Sequence, residues 1–360
     1  MTRSFNFSAG PSTLPLTVLE KVQKEFLSFQ GTGMSIIEIS HRSKYFEEIM
    51  AQTEQLLREL MHIPNNYKVL FVQGGASLQF SMVPMNLLTN NNTSYYVNTG
   101  SWAKKAIAEA EKYGEVHVQN CPTHHIPNLS LDTISLVDYV HITTNNTIEG
   151  TKFASIPNTG NVPLVADMSS NILSEEYDVE KFGVIYAGAQ KNIGPAGLCI
   201  VIVREDLIGK NTLHTLPTML NYETYVKSNS MYNTPPTFNI YIMKLVLEWL
   251  KQLGGVQEIE KINKEKAALL YDFLDESTIF HSNVHIASRS LMNIPFNTTS
   301  SQLNEQFIRE ATSAGFYFLK GHRSIGGMRA SLYNAMSIDG VKALVSFMKQ
   351  FEMKARTENV

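Results

Sequence analysis

The run Tyr186-Ala-Gly-Ala-Gln-Lys191-Asn-Ile-Gly-Pro-Ala-Gly-Leu198 carries a single charge. Apolar runs flank it, Phe182 to Ile185 before and Cys199 to Val203 after, and both read as buried strands. Lys191 therefore falls on a glycine-rich loop between two strands. No carboxylate stands within ten positions of it on either side. Desolvation at such a place lowers a lysine pKa and makes the amine a nucleophile and Schiff-base former. The same residues also suit a plain glycine-rich turn with an exposed lysine, and the stretch alone leaves both readings open.

Upstream, strand and helix signals alternate. Lys68 to Gln73, Ser94 to Asn98, Glu115 to Gln119, Tyr139 to Thr144 and Pro163 to Asp167 read as strands. With Val184 to Ala187 and Cys199 to Val203 they make about seven. Helical periodicity over 16–29, 45–61, 78–88 and 102–113 falls before and between them. Apolar strands separated by helices predict an α/β fold with a mostly parallel sheet covered on both faces. Leu207 to Pro236 reads as a long polar loop, a length that usually marks function or an interface. From Val256 the composition turns Lys/Glu-rich. These signals predict an arm over 1–15, a large domain over 16–255 and a small α/β domain over 256–360.

Composition narrows the function. A net charge of −3 offers no general attraction for nucleic acid or anionic membrane, and no apolar run reaches membrane-span length. Cys121 and Cys199 form no CxxC pair, and with no signal-peptide core the expectation is a reducing cytoplasm. His124-His125 and His281 with His285 lack a carboxylate or cysteine partner, so no metal site is expected.

Several constellations carry chemistry. Asp167 ends an apolar strand, where ligands of open α/β sheets bind; it suits a cationic heterocycle or, as such an aspartate more often does, a helix cap. Gly74-Gly75-Ala76-Ser77 joins a strand to a helix start, which offers N–H groups to a phosphate. Trp102 opens a helix after another strand end and suits stacking on a flat ring or plain core. His41-Arg42 and Gly321-His322-Arg323, with Arg329 after Gly326-Gly327-Met328, suit a phosphate and a carboxylate, or a solvated surface.

In order, these motifs resemble the phosphoserine aminotransferase family of fold-type I, class-V pyridoxal-phosphate enzymes. The resemblance runs from Asn6-Phe7-Ser8-Ala9-Gly10-Pro11 and Glu38-Ile39-Ser40-His41-Arg42-Ser43 through Gln73-Gly74-Gly75-Ala76-Ser77 and Asn98-Thr99-Gly100-Ser101-Trp102. It continues with Ala187 to Asn192, Tyr232-Asn233-Thr234-Pro235-Pro236-Thr237 and Gly321 to Ser331. It implies pyridoxal 5′-phosphate as cofactor, with Lys191 as the Schiff-base lysine, Asp167 at the pyridine nitrogen and Trp102 on the ring. Ala76, Ser77 and Gln190 would serve the cofactor phosphate and Thr147 the ring hydroxyl, with Asn233 and Thr234 reaching in from a second subunit. His41, Arg42, His322 and Arg323 would hold the substrate phosphate, the last two from the partner. Arg329 would hold the α-carboxylate, and Ser8 counts among the substrate residues.

The implied reaction is reversible transamination between L-glutamate and 3-phosphohydroxypyruvate, giving O-phosphoserine and 2-oxoglutarate, by a homodimer in serine synthesis. A role in pyridoxine synthesis through a phosphorylated hydroxythreonine is a further implication. The runner-up is an aminotransferase for small unphosphorylated substrates, of the alanine or serine–glyoxylate kind, which has no use for four phosphate-binding side chains. A cysteine desulfurase needs a cysteine beyond Cys199. A cofactor-binding regulator needs a basic DNA-binding domain, and neither end of this chain supplies one.

Overall fold

The computed structural model describes residues 3–89, 91–131, 134–211 and 216–358. Seven strands form one sheet in the order Tyr67–Gln73, Leu198–Arg204, Val184–Gly188, Leu164–Asp167, Tyr139–Thr143, Thr93–Asn98, Glu115–Asn120. Neighbours from Val184–Gly188 to Glu115–Asn120 are parallel. Leu198–Arg204 runs antiparallel to both of its neighbours. The loop carrying Lys191 explains that reversal: it is too short for a helical crossover, so the chain can only turn back. The predicted mostly parallel α/β sheet is the observed one.

Side chains of the central strands alternate between two apolar layers. Ile142, Ala166, Ile185, Ala187, Ile200 and Ile202 face the helices Leu16–Glu25, Lys44–Met61 and Thr237–Gln252. Val165, Val184, Tyr186, Val201 and Val203 face Gln79–Leu87 and Ser101–Ala110. The centre of the sheet is thus buried on both faces, and the carboxyl ends of its parallel strands supply the open edge where a ligand can sit.

A third apolar cluster, rich in phenylalanine, joins Gly255–Glu276, Ser301–Ser313 and Ile338–Glu358 to a three-stranded antiparallel sheet of Phe280–His281, Asn293–Thr298 and Met328–Ser331. Phe7 belongs to this cluster, and Phe5–Asn6 pairs in parallel with Phe316–Tyr317. The start of the chain is therefore a strand of this second body. Two local readings differ from the structure. Helix Ser301–Ser313, capped by Ser300 accepting from Leu303 N at 3.2 Å, lies in a stretch to which the sequence reading gave no element. Leu207 to Pro236 is not one long loop: Tyr222–Lys227 is a helix with Tyr222 and Tyr225 buried. The Tyr222 hydroxyl donates to Gln79 Oε1 at 2.7 Å, a tertiary anchor that local composition does not reveal. Residues 212–215 of that stretch lie outside the described residues.

Candidate active site

A cavity of ≈ 290 Å³ opens at the carboxyl ends of the strands. Each wall comes from a different element. Leu164–Asp167 ends on Asp167, and the tight loop after Val184–Gly188 supplies Gln190 and Lys191. The turn after Tyr67–Gln73 gives Gly75, Ala76 and Ser77, and the start of Ser101–Ala110 gives Trp102. The N-terminal segment closes one side with Ala9 and Gly10, while His322 and Arg329 enter from the second body.

Thr147 ties three of these walls together. It lies in the turn of the small hairpin Asn145–Asn146/Thr151–Lys152. Its hydroxyl accepts from Trp102 Nε1 at 2.9 Å and from Lys191 Nζ at 3.3 Å, and its carbonyl accepts from Arg329 at 3.0 Å. Lys191 Nζ also lies 5.4 Å from the centre of the Trp102 ring. Burial lowers the Lys191 amine to about 8; the Asp167 carboxylate opposes that shift and the Arg329 guanidinium adds to it.

Asp167 is 6% exposed, and burial raises its carboxyl above the usual range. The charge of Lys191 and two hydrogen bonds from Ser169 work the other way: Ser169 N at 2.9 Å and its hydroxyl at 2.6 Å, both to Oδ1. At the opposite side, the residue before the Ala76–Leu78 turn is Gly75, which has no side chain to satisfy the N–H groups that follow. Two more polar atoms are buried without a hydrogen-bond partner, Gln190 Oε1 and Arg329 Nε. Unsatisfied groups of this kind around one cavity call for a polar ligand.

The cavity brings together Lys191, Asp167, Trp102, Thr147, Ala76, Ser77, Gln190, Arg329 and His322. Other expected residues fall elsewhere. Ser8 turns inward on its own segment, accepting from Gly10 N at 3.3 Å, and its neighbours Ala9 and Gly10 form the wall instead. His41 and Arg42 do not line the cavity. Asn233 and Thr234 are exposed, with Asn233 reaching Gln73 Oε1 at 3.4 Å. Arg323 is exposed on a groove with Lys320 and Arg309. The resemblance places His322 on a partner subunit; in this chain it lines the same cavity as Lys191. The reason is the Met328–Ser331 strand, which pairs with Asn293–Thr298 and points the preceding loop back at its own sheet. Burial lowers the His322 imidazole, and Arg329, Arg323 and Lys105 lower it further.

Two contributors escaped the sequence reading. Ser169 orders Asp167. Glu149, 3% exposed, accepts at 2.7 Å from both Ser101 N and the Ser101 hydroxyl, and so fixes the start of the Trp102 helix. A signal existed for Glu149: it and Asp167 are the only carboxylates between Asp138 and Glu175.

Comparison with known proteins agrees with this architecture. A phosphoserine aminotransferase of Bacillus cereus is 62% identical over 99% of this chain and 100% of its own length. One from Listeria monocytogenes is 59% identical over 98% and 97%. Among solved structures, the phosphoserine aminotransferase of Bacillus circulans subsp. alkalophilus superposes with a TM-score of 0.95 at 48% identity, covering 98% of this chain and 99% of that one. A PLP-bound phosphoserine aminotransferase from Trichomonas vaginalis gives 0.92 at 38%, covering 96% and 100%. The family description Aminotransferase class-V matches residues 4–344. By that match and these full-length likenesses, the chain belongs to the class-V aminotransferase family.

Proposed function

We propose that the chain is a phosphoserine aminotransferase, exchanging the amine of L-glutamate with 3-phosphohydroxypyruvate to give O-phosphoserine and 2-oxoglutarate. The observation that carries the reading is Lys191: a desolvated amine, half-buried in a cavity wall, between an indole face and a buried carboxylate. The residues present fit pyridoxal 5′-phosphate. Asp167 suits a pyridine nitrogen, the Trp102 face suits a planar ring, and the open N–H groups after Gly75, with Gln190, suit a phosphate. That cofactor, when bound, supplies the carbonyl that accepts an amine and the ring that withdraws electrons from the substrate Cα.

The chain supplies the rest. Asp167 as an anion favours a protonated ring nitrogen. Lys191, its pKa brought down to about 8, can take a proton from Cα and return it near neutral pH. Arg329, held by the Thr147 carbonyl at 3.0 Å with its Nε free, suits the α-carboxylate and orients the Cα–H bond. His322 begins a second anion site. We read His41 and Arg42, remote from their own chain's cavity, as the half of the phosphate clamp that a second copy brings, together with Asn233 and Thr234. A homodimer with shared sites, in the cytoplasm and acting on small molecules alone, is the setting this implies. Residues 256–360 are then the small domain, which carries the carboxylate-binding arginine. A role in pyridoxine synthesis would use the same clamp on a longer phosphorylated amino acid.

A coupled assay of amino donors to 2-oxoglutarate tests the reading. Phosphoserine should far outperform serine and alanine, and Lys191→Ala should abolish the reaction. Equal rates for serine and phosphoserine would favour the small-substrate alternative, and full activity of Lys191→Ala would end the proposal.

A further inference from the structure

We infer that Lys266 is a positioning residue, an ammonium built into a cage of backbone carbonyls that holds the Lys191 loop and the N-terminal segment in place. Lys266 lies in Gly255–Glu276 with no exposed surface. A buried ammonium is ordinarily matched by a carboxylate. Among the described residues none stands within ion-pair distance. Instead Nζ donates to the carbonyls of Leu332 at 3.1 Å, Tyr333 at 2.9 Å and Met336 at 3.1 Å. An ammonium has three donors, and each finds one carbonyl. Burial pushes the amine down to about 7, and the carbonyl dipoles, which favour its charged form, resist that.

The caged turn reaches the active-site wall at two points. The Tyr333 hydroxyl donates to the carbonyl of Ala9, a cavity residue, at 2.8 Å. The backbone N–H of Asn334 donates at 2.9 Å to Oδ1 of Asn192, the residue after Lys191. The Asn334 side chain adds a bond to the Leu173 carbonyl at 2.7 Å, and Asn263, one turn before Lys266, holds Asn334 Oδ1 at 2.9 Å. The strand that leads into this turn, Met328–Ser331, carries Arg329. Lys266 itself is no part of the cavity lining. Its charge orders a turn, and that turn orders the groups on either side of Lys191. An apolar residue of equal volume would fill the space and orphan three carbonyls, each a costly loss. The inference takes Lys191 as the reactive amine, as above.

The test uses the full-length cofactor-loaded enzyme and compares Lys266→Ala with Lys266→Met, which keeps the unbranched stem and removes only the ammonium. Amide hydrogen exchange is followed in 189–194 and 332–336, alongside kcat and KM. Both variants should exchange about ten-fold faster in both segments, the equivalent of one lost buried hydrogen bond. kcat should fall with KM for phosphoserine changed less. Propylammonium should restore exchange protection and kcat in Lys266→Ala, and tetramethylammonium, which has no N–H, should not. Wild-type exchange at 189–194 in Lys266→Met would overturn the inference, as would Lys266→Ala indifferent to propylammonium. If Lys266→Ala does not fold, Lys266→Met decides alone. The exchange readout involves no substrate, so an error in the assigned reaction would show only in turnover.

Discussion

Gly100→Ala should damage the site through a carboxylate that touches no ligand. A Cβ at Gly100 would lie 2.4 Å from Glu149 Cδ and 2.5 and 2.7 Å from its two oxygens. The backbone there is extended, so space alone forbids the methyl group. A side-chain tip can usually swing away, but this one is 3% exposed and accepts both the Ser101 N–H and the Ser101 hydroxyl at 2.7 Å. Moving it breaks those bonds. Overpacking costs about 1–3 kcal/mol and a lost helix cap about 1 kcal/mol, so Gly100→Ala should lose roughly 2–4 kcal/mol. Glu149→Ala should lose the cap and open a small void. In the double variant the clash is gone, so the losses should fall short of additivity by about 1 kcal/mol or more. Urea unfolding of the cofactor-free protein measures all three. Trp102 follows Ser101, so Gly100→Ala should also alter its near-UV circular dichroism, read in a Trp249→Phe background. Strict additivity, or a Gly100→Ala loss below about 0.5 kcal/mol, which is the range of neutral surface changes, would refute the argument.

Three other outcomes are expected. Arg42→Ala or Arg323→Ala should weaken phosphoserine far more than glutamate in steady-state assays, whereas equal losses would remove both residues from a phosphate clamp. Asp167→Asn keeps the Ser169 bonds and deletes a buried charge whose carboxyl pKa is raised, a charge that costs stability above the ordinary carboxylate range. It should therefore stabilise the cofactor-free protein at neutral pH while cutting turnover about 10²-fold or more; a loss of stability would show that the charge is compensated. His322 is held down by burial and by Arg329, Arg323 and Lys105, so an incoming anion relieves the repulsion and raises its pKa. Phosphoserine binding should take up a proton and weaken as pH rises through the His322 titration, which calorimetry in buffers of different ionisation enthalpy would detect, and which His322→Asn should abolish.

Much of this site was legible because its chemistry depends on isolation. Lys191 stands out as a charge in an uncharged stretch, and the isolation that marks it in sequence is what desolvates it in space. Asp167 stands out as the polar end of an apolar strand. Glu149 is less isolated, with Lys152 three positions after it, so the absence of a charged neighbour does not mark it. The central strands were readable because each is an apolar run buried on both faces, whereas the edge strand Glu115–Asn120 is polar and largely exposed. What stayed hidden depends on long-range pairing. Whether Ser8 or its neighbours meet the cavity is decided by Phe5–Asn6 pairing with Phe316–Tyr317. No local pattern carries that register. Lys266 shares the isolation of Lys191 only in space: in sequence it follows Glu265 and reads as a surface lysine on a charged helix.

Lys191 and Lys266 together show what desolvation does when its surroundings differ. Both amines are lowered chiefly by burial, to about 8 and about 7. Around Lys191 the partners are sparse and adaptable: one hydroxyl at 3.3 Å, an indole face and a carboxylate. That amine can lose its hydrogen bond without orphaning a carbonyl, so it is free to change partner and protonation state. Around Lys266 three carbonyls consume every donor, and a neutral amine would have only two hydrogens for three acceptors. The first environment makes a reagent and the second a fixture. They are linked through Asn334 and Asn192, so the fixed cation holds the loop from which the reactive one works.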